Sequence, residues 1–127
     1  MSSFTTPLDT RELGDGRFEI LADFVYYLAD PHGEQVIVPK GYITDFATTK
    51  WFSFIFPPYS PDYGKACVVH DYLCTDKRIL YHGWSRLCTR KEADMIFLQA
   101  MGVLHCPLIK KSLMYTGVRL WAALRGL

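Results

Sequence analysis

Thr89-Arg90-Lys91-Glu92-Ala93-Asp94-Met95-Ile96-Phe97-Leu98-Gln99-Ala100-Met101-Gly102-Val103-Leu104 is the stretch that decides the fold. It opens on T-x-x-E, the capping box in which a Thr hydroxyl and a Glu carboxylate satisfy the first free amides of a helix. Behind the box, Ala93, Ile96, Phe97, Ala100, Met101 and Leu104 recur at i, i+3, i+4, i+7, i+8 and i+11, one apolar face of an amphipathic helix. Asp94 is the only acid bordering that stripe. Downstream, Pro107 suits the first position of a final helix carrying Ile109, Leu113, Leu120 and Leu124. Upstream, residues 75–88 read as a loop around His82-Gly83, and Asp62 caps an earlier helix that runs to about Cys74. Thr48 or Thr49 caps a shorter helix through Phe56, which Pro57-Pro58 stops.

The first third has a different period. Arg17 to Ala29 is rich in Phe, Ile, Val and Tyr, and Asp30-Pro31-His32-Gly33 is a strong turn signal. Glu34 to Val38 returns from that turn with Val36 and Val38 on one face, so the spacing predicts a hairpin. After Pro39-Lys40-Gly41, a short strand follows over Tyr42 to Asp45. The expected fold class is α+β. A small antiparallel sheet (about 17–45) packs on three to four helices (about 49–125), in one domain over residues 1–127.

Composition narrows the function classes. Half of the 127 residues are apolar and 15% are aromatic, which excludes a disordered chain. No apolar run approaches the roughly 20 residues of a membrane span. The N-terminus, Met1-Ser2-Ser3-Phe4, lacks the basic start and apolar stretch of a signal peptide, so synthesis in a cytoplasm is expected. A net charge of +1 hides nine acids against four bases in residues 1–63, and four against ten in residues 64–127. The basic groups Lys110, Lys111, Arg119 and Arg125 are spread out, which suits a solvated helix better than a nucleic-acid arm. Cys67, Cys74, Cys88 and Cys106 form no C-x-x-C pair, so reduced, packed thiols are expected in place of a zinc site or disulfides. Walker, G-x-S-x-G and H-E-x-x-H motifs are absent.

One constellation can carry chemistry. His70-Asp71 lies inside the apolar run Ala66-Cys67-Val68-Val69-His70-Asp71-Tyr72-Leu73, where an unpaired imidazole or carboxylate is costly to bury. Asp94 on the following helix is the expected partner of His70. A carboxylate on one imidazole nitrogen fixes the tautomer and raises the basicity of the other, as a general base acting on water requires. The same pair could also do no more than pin two helices together. Asp71 would point elsewhere and could hold a cation, with Asp45 as a second carboxylate and calcium as the candidate ion. Asp45 is better suited to capping or a structural hydrogen bond. Tyr72 beside the dyad, with Lys110 and Lys111 on the last helix, completes the candidate binding residues. The aromatic run Trp51-Phe52-Ser53-Phe54-Ile55-Phe56 with Tyr59 suits either the core or a lipid-touching surface.

The chain resembles the phage and prophage family of domains of unknown function numbered thirteen-fifty-three. The resemblance is carried by Val38-Pro39-Lys40-Gly41-Tyr42-Ile43-Thr44-Asp45-Phe46-Ala47, Tyr63-Gly64-Lys65-Ala66, Val69-His70-Asp71-Tyr72-Leu73, Glu92-Ala93-Asp94-Met95-Ile96-Phe97, Ala100-Met101 and Met114-Tyr115, in that order. It departs at Lys50, where the family usually has proline, and at Cys74, where it often has an aromatic. More distantly, His70-Asp71 followed by Asp94 is similar to the arrangement in secreted phospholipases A2. That likeness implies His70 as the base that activates water, Asp71 as a calcium ligand and Asp94 as the group orienting His70. Those enzymes have a glycine-rich calcium loop upstream. Lys50 to Tyr63 contains no glycine, so calcium would need Asp45 or carbonyls near Gly41. The HD phosphohydrolases share the dipeptide but need an earlier helical histidine, whereas His32 lies in a turn.

The resemblances together imply a small phage protein, virion- or tail-associated, with a His/Asp dyad suited to hydrolysing lipid esters or cell-envelope polymers. The rival expectation is a non-catalytic structural or adaptor component of the particle. Its partners would be other virion proteins, with membrane lipid or envelope as a further contact. A third is a cytoplasmic effector that binds host protein or nucleic acid through the basic last helix.

Overall fold

The computed structural model describes residues 3–4, 6–14, 16–28, 33–44, 63–81 and 83–127. Among these residues, eight strands and three helices follow in the order β1 (Ser3–Phe4), β2 (Thr10–Glu12), β3 (Phe18–Ile20), β4 (Phe24–Tyr27), β5 (Gln35–Val38), β6 (Ile43–Thr44), α1 (Gly64–Thr75), β7 (Arg78–Tyr81), β8 (Trp84–Leu87), α2 (Arg90–Val103) and α3 (Leu108–Leu124). The architecture is α+β, as the change of period from two to 3.6 residues implies. There are two antiparallel sheets, one ordered β1-β4-β5-β7-β8 and one ordered β2-β3-β6.

The β4–β5 hairpin forms with Phe24 opposite Val38 and Tyr27 opposite Gln35. Phe24, Tyr26, Val36 and Val38 share its buried face. The loop expected over residues 75–88 is instead a second hairpin. Arg78-Ile79-Leu80-Tyr81 is β-prone, Gly83 takes the positive φ of the reversal, and Leu80 pairs with Gln35 so that β7 extends the main sheet. Ile79 alone is fully buried in that stretch, which left no alternation to read. The helix expected from Thr48 or Thr49 to Phe56, the Asp62 cap and the Trp51–Tyr59 aromatic run lie outside the described residues.

The threonine half of the capping box holds at α2, where the Thr89 hydroxyl accepts from the Glu92 amide at 3.1 Å. The Glu92 carboxylate pairs with Arg86 on β8. Ala93, Ile96, Phe97, Ala100 and Met101 are buried as their spacing requires. The helix ends in a Schellman motif, with Cys106 N–H donating to the Met101 carbonyl and His105 N–H to that of Gly102. His105 sits at φ 59°, the left-handed position usually taken by glycine. Its capping place is thus structural. In α3, Pro107 is the residue before the first turn, and the buried residues are Met114, Val118 and Ala122. Ile109, Leu113, Leu120 and Leu124, carried on this helix, turn outward. α2 packs between α1 and α3, while α1 also touches β5 and β6.

Candidate functional site

Successive helix positions leave the axis roughly 100° apart, so His70 and Asp71 cannot face the same neighbour. His70 turns to α2 and Asp71 to β6. His70 Nε2 lies 2.6 Å from Asp94 Oδ1, and the imidazole lies tilted against the Phe97 ring, with centroids 4.8 Å apart. The expected pair therefore exists. Both residues are sealed, His70 being 2% exposed and Asp94 0%.

Asp94 has more partners than the sequence suggested. Arg90 Nε donates to Oδ1 at 2.9 Å, and Arg119 Nη1 donates to Oδ2 at 2.7 Å. Burial favours the neutral acid, but the hydrogen bonds from His70, Arg119 and Arg90 outweigh it and hold the carboxyl below its usual range. An ionised carboxylate only accepts, so Nε2 carries the proton. Burial by itself would lower the imidazole; the Asp94 bond, with Cys74 next to the ring, reverses that and pushes His70 up to about 9. At neutral pH the pair is imidazolium and carboxylate.

Cys74, one turn beyond His70, places its Sγ 3.5 Å from Nε2 and 3.9 Å from Nδ1. His70, Cys74 and Asp94 each offer a ligand atom within 4.8 Å of the others. Their N, S and O donors suit a transition metal in kind. They do not suit one here, because both Asp94 oxygens already accept from guanidinium groups that would repel a dication.

Asp71 opens a different face. Its Oδ2 accepts from the Thr44 hydroxyl at 2.8 Å, and its backbone carbonyl accepts from the Thr75 hydroxyl at 2.9 Å. Asp71, Cys74, Thr75, Thr44, Tyr42 and Arg17 line a cleft of about 320 Å³. Burial pushes the Tyr42 phenol up to about 12, so it remains a donor. Calcium takes six to eight oxygens. Among the described residues lining the cleft, Asp71 is the one carboxylate, and Arg17 shares the space. Asp45, the expected second carboxylate, lies outside the described residues.

The remaining candidates are dispersed. Tyr72 is buried edge-on against Tyr42 at 5.5 Å, a packing role at the rim of the cleft. Lys110 and Lys111 stand half-buried on α3, with Lys110 Nζ 5.7 Å from the Tyr63 ring centroid. Sequence reasoning missed Arg90, Arg119 and Cys74. The first and last had a legible signal, since Arg90 is four residues before Asp94 and Cys74 four after His70. Arg119 had none, because it arrives from another helix.

The fold and site define a small α+β protein whose three described helices are keyed by a buried histidine–aspartate–arginine cluster beside a cleft into which Asp71, Thr44 and Arg17 bring polar groups. The chain belongs to the family described as protein of unknown function (DUF1353), which matches residues 18–118. That span includes His70, Asp71, Cys74 and Asp94 and stops one residue short of Arg119. No curated protein and no solved structure matches the chain.

Proposed function

We propose that this protein is a non-catalytic structural or adaptor component of a bacteriophage particle, virion- or tail-associated, in which the dyad stabilises the fold. It is made in the host cytoplasm and its partners are other virion proteins. The observation that carries the structural reading is the ionised, sealed His70–Asp94 pair. A general base needs a pKa near the working pH and a lone pair facing water. An imidazolium held up to about 9 and 2% exposed offers neither at pH 7. The phage assignment is supported by the ordered likeness of the stretches from Val38 to Tyr115.

The second reading is a hydrolase acting on a lipid ester or a cell-envelope polymer. It is favoured by the cleft, whose wall contains Asp71 and Cys74, the immediate and one-turn neighbours of His70. In that reading His70 is the base, Asp94 orients it and Asp71 holds calcium. The base works only when neutral, so its rate must climb towards pH 9. Mass spectrometry of purified virions, with ester and envelope hydrolysis measured from pH 6 to 10, tests both. The chain is expected in the particle, with no turnover at any pH. Turnover that rises with pH and disappears in folded Asp94→Asn would establish the hydrolase instead.

A further inference from the structure

Cys74 is a nucleophile that neither reading of the dyad uses. It is half-buried and lines the cleft, whereas Cys67, Cys88 and Cys106 are buried. One helical turn separates it from His70, so the two side chains share a face of α1. Its Sγ lies 3.5 Å from His70 Nε2 and 3.9 Å from Nδ1, and Nε2 is held 2.6 Å from Asp94 Oδ1. A thiol against an imidazole that a carboxylate in turn orients is the arrangement that activates a cysteine towards an electrophile. The charge on the ring suits that role. An imidazolium cannot take a proton from water, but beside a thiol it favours the thiolate, which is the attacking form.

The coupling is visible from the histidine side, since Cys74 is among the groups that push His70 up to about 9, and such an interaction is reciprocal. Arg90 and Arg119, gathered on Asp94, reinforce the positive side of the cluster. Asp71, three residues before Cys74 on the cleft wall, opposes it. Tyr42 and Cys88, also close to Cys74, are kept protonated by burial. The cleft of about 320 Å³ has room for one arm of a small disulfide against the sulfur.

We infer that Cys74 is a site of covalent modification, a thiol that exchanges with small disulfides entering the cleft, with His70 as the cation beside its sulfur. The Cys74 sulfur attacks one sulfur of R–S–S–R, and that S–S bond breaks as the new one forms. Cys74 is thereby oxidised to a mixed disulfide. The other half of the reagent is reduced, leaving as a thiolate that takes up the proton Cys74 gave away and becomes RSH. This chemistry rests on the charged dyad of the structural reading and adds no turnover to it.

The test is mass spectrometry of the reduced full chain after timed exposure to 2-hydroxyethyl disulfide, with peptide mapping of the adduct. A short unstructured cysteine peptide serves as the reference. At pH 7 a single adduct is expected, on Cys74, formed at least about tenfold faster than on the peptide. That ratio should fall as pH rises through about 9 and His70 loses its charge. Folded His70→Gln should lose the acceleration, and if this variant does not fold, the pH dependence of the ratio in the parent decides. The inference is overturned if Cys74 reacts no faster than the peptide at pH 7, or if another cysteine takes the first adduct. It is also overturned if the ratio does not fall across the His70 titration, or if folded His70→Gln reacts as fast as the parent. Should NMR place the His70 titration near 9 while Cys74 stays slow, the modification site is refuted and the ion pair stands.

Discussion

Raising the pH above about 6.5 should destabilise this protein progressively. The folded value of His70 is raised from 6.5 to about 9, so its contribution to stability is complete below about 6.5 and disappears as pH rises through about 9. At 1.36 kcal/mol per pKa unit the whole contribution is about 3 kcal/mol, of which about 2 is lost between pH 6.5 and 8.5. That is a large share of the roughly 5–15 kcal/mol that holds a domain together. It corresponds to a fall in Tm of about 5–10 °C. The window is clean because the buried thiols Cys67 and Cys88, also pushed up by burial, change stability only once unfolded cysteines ionise near 9. The Asp94 shift belongs to the same ion pair and is not added again. Urea unfolding at half-unit steps from pH 6 to 10 measures the slope, and NMR titration of the His70 imidazole assigns it. A native imidazole that titrates at or below 6.5, or a flat stability curve across the window, would refute the ion pair.

Three other outcomes follow from the geometry. His105→Gly should raise stability by about 0.5–1 kcal/mol in thermal melts, since glycine relieves the left-handed strain at the end of α2 by more than it adds to unfolded-state freedom. Native-state thiol labelling should modify Cys74 first, because it lines the cleft, and reach four thiols only after denaturation exposes Cys67, Cys88 and Cys106. Millimolar calcium should leave Tm unchanged; a rise that Asp71→Asn removes would instead support the calcium-bound hydrolase, because a ligand held only by the native state stabilises it.

The legible part of the fold was the part encoded by local period. Thr89 and Glu92 marked the start of α2, and Val36 and Val38 fixed the face of β5, because capping and alternation need only near neighbours. The β7–β8 hairpin escaped because its pairing with Gln35 is supplied by a strand more than forty residues away in sequence. α3 is apolar on two faces, and periodicity alone cannot say which one the core takes. His70 and Asp94 were legible because burying either alone is expensive. The state of the pair was not, since the groups that help keep Asp94 ionised include Arg119, whose guanidinium approaches from α3.

Asp94, more than His70, is therefore the hub of the cluster. Its two oxygens collect His70 from α1, Arg90 from its own helix and Arg119 from α3, so one carboxylate joins all three described helices. Removing a hub and removing a spoke differ in kind. Asp94→Asn would leave an imidazole and two guanidiniums facing one another without a counter-charge, and breaking a buried pair this way costs on the order of 3–5 kcal/mol. Arg119→Met leaves the His70–Asp94 pair intact and exchanges a quarter-exposed guanidinium for apolar contact, so its cost should be under about 1.5 kcal/mol. Once Asp94 is already Asn, removing the Arg119 charge should relieve repulsion and restore stability. A double-mutant cycle on these two positions reads that coupling directly. If the two single losses simply add, the three helices are held by packing alone and the carboxylate is not their common anchor.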